Sequence, residues 1–239
     1  MCCGLVRELY LMTHAQNRFE SVFSTRIARG REIVCIAADN TDSTVARVAT
    51  CTRDNSVQVW SFESRTAKLS PISSKLYRED RQVVPKSLAF DENTDQDLFV
   101  FGLYDGGMYK YSGKDSKTIA KYQLRSQIGN AAIDLERRIC VVDNVGKGFD
   151  IYKLDSGKFV KTLTTRDPMK TYPKGVAFAD EYHAIVGGSD HGLVYIFDRK
   201  TGQAITTLKH GGDGGVETIA VSLSTFLQKS AKTGTDFRQ

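Results

Sequence analysis

Apolar and polar residues alternate with a period of two along short runs of the chain, and turn-forming residues separate the runs. Residues 159–163 and 204–208 are two such runs, each preceded by a turn that contains a glycine. Period-two alternation bounded by Gly, Asn and Asp is typical of antiparallel hairpins. No helical period extends over a useful length, so the sequence predicts an all-β protein with few helices.

A three-residue motif recurs five times, consisting of an apolar residue, an alanine and a second apolar residue. The central alanines are 52, 43, 45 and 43 residues apart. They are Ala37, Ala89, Ala132, Ala177 and Ala220. A fixed period of this length indicates a fold assembled from one repeated supersecondary unit.

A second motif follows each of the first four, and consists of a polar turn, alternating apolar positions and an aromatic residue. The aromatic residues are Trp60, Tyr111, Tyr152 and Phe197, which are 51, 41 and 45 residues apart. Because two independent motifs repeat with nearly the same period, the sequence predicts four units of four short antiparallel strands. The units span about 33–70, 86–124, 128–165 and 173–209. A sheet with two apolar faces needs neighbours, so we expect the units to stack radially as the blades of a β-propeller.

Two partial units flank the four complete ones, at residues 5–25 and 216–239. The first has the pattern of the last two strands of a unit, and the second has that of the first two. Either the termini pair and close a five-bladed ring, or the chain is a segment of a longer propeller. We favour the second for the natural gene product, and in both cases expect about five sheets in a single domain spanning 1–239.

These units resemble WD repeats. Residues 188–198 read GSDHGLVYIFD, which is similar to the family's Gly-Ser-x-Asp-Gly-x-Val-x-Val-Trp-Asp segment, with His191 and Phe197 replacing the Asp and the Trp. Residues 52–60 keep both of those family residues. In the family, a buried His, Ser or Thr, Asp and Trp form a hydrogen-bonded set that braces a blade. The resemblance implies this structural role for Thr52, Asp54, Trp60, Ser189 and His210.

The resemblance also implies a function, because WD-repeat propellers are protein-interaction platforms. We therefore expect a non-enzymatic scaffold or adaptor with a protein partner. Such propellers bind partners on the face that carries the loops between blades and the turns between second and third strands. A few aromatic and Arg side chains usually dominate such binding. The candidate contacts on this face are Arg31, Arg53, Tyr104, Asn144, Asp190, His191 and Asp213.

Charge and cysteine content narrow the alternatives. The net charge of +5 is mild and spread along the chain, whereas nucleic-acid binders usually concentrate their charge. Binding of nucleic acid or another anionic surface is therefore the alternative function. No apolar run is long enough for a membrane span. Five cysteines without a C-x-x-C pair indicate no disulfide framework and no zinc site, and favour an intracellular compartment, cytoplasmic or nuclear.

Catalytic constellations are incomplete in the sequence. Residues 189–191 hold the three residue types of a hydrolase triad, but consecutive residues cannot align their side chains in that order. The glycine-rich stretch 211–215 has no helix pattern after it to bind phosphate. A propeller-scaffold enzyme is the least favoured hypothesis, and we expect no catalytic residue, metal or cofactor.

Overall fold

The protein is described by a computed structural model, which covers residues 2–5, 8–15, 18–26, 32–39, 44–76, 83–94, 97–210 and 214–221. These residues form strands and no helix, which confirms the all-β prediction. Among them, no helix is long and apolar enough to cross a membrane. The chain divides into two compact units, Met1–Gln127 and Ile128–Gln239.

The first unit contains three antiparallel sheets. The N-terminal sheet has three strands: β1 (Cys2–Leu5), β2 (Glu8–Ala15) and β3 (Arg18–Arg26). The next sheet has β4 (Ile33–Asp39), β5 (Val45–Thr52), β6 (Ser56–Glu63) and β7 (Lys68–Leu76). The third has β8 (Pro85–Asp91), β9 (Asp97–Gly102), β10 (Gly107–Tyr111) and β11 (Thr118–Gln123).

The second unit contains two antiparallel sheets of four strands. One has β12 (Ala131–Asp134), β13 (Ile139–Asp143), β14 (Gly148–Lys153) and β15 (Phe159–Thr164). The other has β16 (Val176–Ala179), β17 (Ala184–Gly187), β18 (Leu193–Asp198) and β19 (Ala204–Lys209). In all four four-stranded sheets, each strand pairs with the next along the chain. This is the four-stranded antiparallel repeat that the two sequence motifs predict.

A β-bulge occurs at the same place in every four-stranded sheet. The register between the third and fourth strands shifts immediately before the aromatic residue of the second motif, at Val59/Trp60, Lys110/Tyr111, Ile151/Tyr152 and Ile196/Phe197. The extra residue on the fourth strand is in each case an apolar β-branched one, with 38 to 61% of its surface exposed. These residues are Ile72, Ile119, Val160 and Ile205. A bulge bends and twists an edge strand, which protects it from pairing with another chain.

The N-terminal sheet carries the same irregularity between its second and third strands, at Leu11/Met12. By this criterion β2 and β3 correspond to the third and fourth strands of a unit, as the sequence pattern predicts. The strand β1 then corresponds to a second strand, which the pattern does not predict. At the other end, residues 214–221 form no strand, and 222–239 lie outside the described residues.

The sheets within each unit pack through their apolar faces. In the first unit, Val59 and Tyr109 belong to one cluster between the β4–β7 and β8–β11 sheets. In the second, Phe149 and Phe197 make an edge-to-face contact, 6.3 Å between ring centroids, within the cluster that joins its two sheets. The first strands of neighbouring sheets contact each other, β4 with β8 and β12 with β16. Four of the five motif alanines, Ala37, Ala89, Ala132 and Ala177, lie on these strands and permit the close approach.

Candidate interaction surface

The turns between second and third strands hold most of the predicted contact residues. In each four-stranded sheet this turn is tied by a backbone hydrogen bond to the segment that precedes the first strand. The N–H groups of Arg53, Leu103, Asp143 and Gly188 donate to the carbonyls of Glu32, Val84, Asn130 and Gly175, at 2.8 to 2.9 Å. Both kinds of loop therefore lie at one end of the strands in each of these sheets. The first-to-second and third-to-fourth turns lie at the opposite end of the strands, because successive turns of an antiparallel sheet alternate between the two ends.

The turn of the β4–β7 sheet is braced by a compact polar network. The hydroxyls of Thr52 and Ser56 lie 2.6 and 2.9 Å from Oδ1 of Asp54, and 2.6 Å from each other. Partial burial disfavours the charged carboxylate, but these hydrogen bonds outweigh it and hold the pKa of Asp54 below its usual value. Thr52 and Asp54 thus brace this turn through their side chains. Ser56 is a member that the sequence analysis missed.

Trp60 belongs to a different contact from the one expected. Its indole N–H donates to Oγ1 of Thr50 at 3.3 Å, and its ring packs with Phe62 and Leu9. Trp60 therefore braces the second and third strands, away from the Thr52–Asp54 turn. Strand pairing could have predicted this contact, because Thr50 lies opposite Gln58, which is two residues from Trp60 on the paired strand.

Two of the predicted contact residues are exposed in the first unit. The Arg53 side chain is 73% exposed and forms an ion pair with Glu32 at 2.5 Å. Exposed pairs of this kind contribute about 0–1 kcal/mol, so the guanidinium is available to a partner. Tyr104 is 61% exposed on the equivalent turn of the β8–β11 sheet. Arg53 and Tyr104 are thus exposed side chains on the second-to-third-strand turns of two neighbouring sheets.

Asn144, on the β12–β15 sheet, is held within its own turn. Its Nδ2 donates to Asp150 at 3.1 Å, and its Oδ1 accepts from the N–H of Gly146 at 3.0 Å. Asp150 is buried and also accepts from Thr162 at 2.7 Å. The side chain of Asn144 therefore stabilises the turn and uses both its amide groups in doing so.

Ser189 repeats the role of Thr52 on the β16–β19 sheet. Its hydroxyl donates to the carbonyl of Leu193 at 2.7 Å and accepts from the N–H of His191 at 3.2 Å. Asp190 is buried, accepts from the N–H of Lys170 at 2.6 Å, and lies 3.1 Å from Nδ1 of His191. The Ser189 hydroxyl bonds to backbone groups rather than to the imidazole of His191, so residues 189–191 form a braced turn.

The remaining predictions have different outcomes. His210 is exposed, and its backbone N–H donates to the carbonyl of Gly192 at 2.7 Å, which pairs the ends of these two strands. Arg31 and Asp213 lie outside the described residues. Lys174 and Asp143 form a buried ion pair that no periodic pattern in the sequence predicts.

No group of three or more His, Cys, Asp or Glu side chains that could hold a metal ion occurs in the described part of the chain. A scan against protein-family models matched none of them. A search of curated proteins found no matching sequence.

Proposed function

We propose that this chain is a WD-repeat-like β-propeller that acts as a non-catalytic scaffold and binds a protein partner through its second-to-third-strand turns. The observation that carries the proposal is the pair formed by Arg53 and Tyr104. Both are exposed, both occupy the same turn of neighbouring repeats, and both residue types are enriched among the side chains that dominate protein interfaces.

The rigidity of the turns supports this function. The Asp54 network, Asn144 with Asp150, and Ser189 with Leu193 each fix a turn through side-chain hydrogen bonds. A preformed loop loses less conformational entropy on binding than a mobile one, so fixed turns favour affinity. Asn144, Asp190 and His191 stay predicted contacts, and their present hydrogen bonds support a role in positioning their own turns. The compartment, cytoplasm or nucleus, also stays a prediction.

Affinity capture from a nuclease-treated lysate tests the proposal, with the 239-residue protein as bait. The test variant is Arg53→Ala/Tyr104→Ala. The matched control is Arg65→Ala/Tyr182→Ala. It removes an exposed Arg and an exposed Tyr from turns at the opposite ends of the strands. Loss of an anchor typically costs about 2 kcal/mol, or roughly thirtyfold in affinity.

The proposal predicts that one or more proteins captured by the wild type and by the control are lost from the test variant. Identical captures by all three proteins would contradict the assignment of the surface. A protein that the wild type captures from an untreated lysate but not from the nuclease-treated one would favour the alternative, a nucleic-acid binder.

A further inference from the structure

Two cysteines face each other across the first two strands of the β4–β7 sheet. Cys35 on β4 and Cys51 on β5 are direct cross-strand partners, beside the register irregularity between Ile33 and Cys35. Directly opposed residues of an antiparallel pair lie on one face, with Cβ atoms about 4.5–5.5 Å apart. The thiol of Cys35 donates to the carbonyl of Ile36 at 3.8 Å, and that of Cys51 donates to the carbonyl of Pro85 at 3.5 Å. Cys51 is fully buried, whereas Cys35 is only partly buried.

The two thiols are chemically unequal. The neighbouring Cys51 thiol outweighs the effect of burial and lowers the pKa of Cys35, and the positive charge of Lys86 adds to this. The same contact and burial raise the pKa of Cys51 well above its usual value. Because the thiolate is the nucleophile in thiol chemistry, Cys35 is the attacking residue of the pair.

We propose that Cys35 and Cys51 are a redox modification site, which low-molecular-weight disulfides such as oxidised glutathione convert to a reversible intramolecular disulfide. The Cys35 thiolate attacks one sulfur of oxidised glutathione, breaks its S–S bond and releases one glutathione thiolate. That thiolate takes the proton of Cys51, whose sulfur then attacks Cys35 and releases the second glutathione. Two cysteine thiols are oxidised, and one oxidised glutathione is reduced to two glutathione molecules.

The geometry explains why this disulfide is reversible. A relaxed disulfide has Cβ atoms about 3.5–4.5 Å apart, somewhat closer than a typical opposed pair on neighbouring strands. Closing the bond therefore pulls β4 and β5 together at the irregularity, and strained disulfides are the more easily reduced ones. The site is independent of the proposed partner-binding function and lies on different residues.

Peptide mapping of the folded 239-residue protein in oxidised and reduced glutathione mixtures tests the proposal. The folded protein is expected to lose the Cys35 and Cys51 thiols together and yield a linked 35–51 peptide pair, which excess reduced glutathione reverses. Cys140→Ser is the matched control, because burial raises the pKa of Cys140 to about 12 and leaves that thiol unreactive. Folded protein that is glutathionylated at Cys2 or Cys3 while Cys35 and Cys51 stay reduced would overturn the proposal.

Single variants separate the two roles. Cys51→Ser is expected to accumulate glutathione on Cys35, because the resolving thiol is gone, whereas Cys35→Ser is expected to leave Cys51 unmodified. If either variant fails to fold, acid-quenched time points of the wild type replace it: the transient glutathione adduct is expected on Cys35. An adduct on Cys51, or a 35–51 link formed only in urea, would contradict the mechanism.

Discussion

The ammonium group of Lys174 lies 2.9 Å from Oδ1 of Asp143, with only 3% of the lysine side chain and none of the aspartate exposed. The backbone N–H of Lys174 donates to the other carboxylate oxygen at 2.7 Å. Lys174 precedes β16 and Asp143 ends β13, so this pair connects the two sheets of the second unit. Burial raises the pKa of Asp143, and the nearby charge of Lys174 opposes that effect.

Substitution of Lys174 by Met is expected to destabilise the protein by about 3–5 kcal/mol, because it leaves a buried carboxylate without its counter-charge. Urea unfolding measures the change. Lys147→Met is the matched control: its pair with Asp167 has side chains 70% and 79% exposed, and its loss costs about 0–1 kcal/mol. The double variant Asp143→Asn/Lys174→Met is expected to be more stable than Lys174→Met. Equal unfolding midpoints for Lys174→Met and Lys147→Met would show that the buried pair does not form.

The Trp60–Thr50 hydrogen bond predicts a specific energetic coupling. Trp60→Phe and Thr50→Val each remove one partner, and a double-mutant cycle is expected to give a coupling of about 0.5–1.5 kcal/mol. Thr52→Val is the control, since Thr52 bonds the Asp54 turn and is expected to be additive with Trp60→Phe within about 0.5 kcal/mol. Coupling of Trp60 to Thr52 rather than to Thr50 would support the bracing set that the sequence resemblance implies.

The Asp54 network predicts a dependence of stability on pH. The folded pKa of Asp54 is lowered from its model-compound value of 3.8, so the charged form stabilises the folded state. Its contribution is fully present above pH 3.8 and is lost as the pH falls through the lower folded value. We expect urea unfolding to show a difference in unfolding free energy between the wild type and Asp54→Asn that is constant from pH 7 down to about pH 4. Below pH 3.8 this difference is expected to shrink. A difference that is unchanged by acid would mean that the Asp54 carboxylate is not stabilised by its neighbours.

Sequence periodicity predicted the four-stranded repeat because strand alternation and turn residues are local signals. Trp60, Tyr111, Tyr152 and Phe197 mark the third strands, and the paired strands follow from short turns. The bulge residues were not predictable in the same way. Ile119 and Ile205 look like inward-facing positions of a regular strand, and the register shift that leaves them exposed depends on the neighbouring strand.

The candidate surface was predicted only in part, for a related reason. Turn position alone located Arg53, Tyr104, Asn144, Asp190 and His191, but it does not distinguish a free side chain from one that is hydrogen-bonded within the turn. Asp190 is buried against the backbone of Lys170, twenty residues earlier. Contacts of this range, like the Lys174–Asp143 pair, depend on how loops pack and leave no periodic signal in the sequence.

Hydrogen exchange of the protein with its captured partner tests the central claim most directly, because it reports which backbone segments the partner covers. We predict slower exchange at the second-to-third-strand turns around Arg53 and Tyr104, and unchanged exchange at the turns around Arg65 and Tyr182, which lie at the opposite ends of their strands. Slower exchange only at those opposite turns, or only along the outer strands β7, β11, β15 and β19, would contradict it.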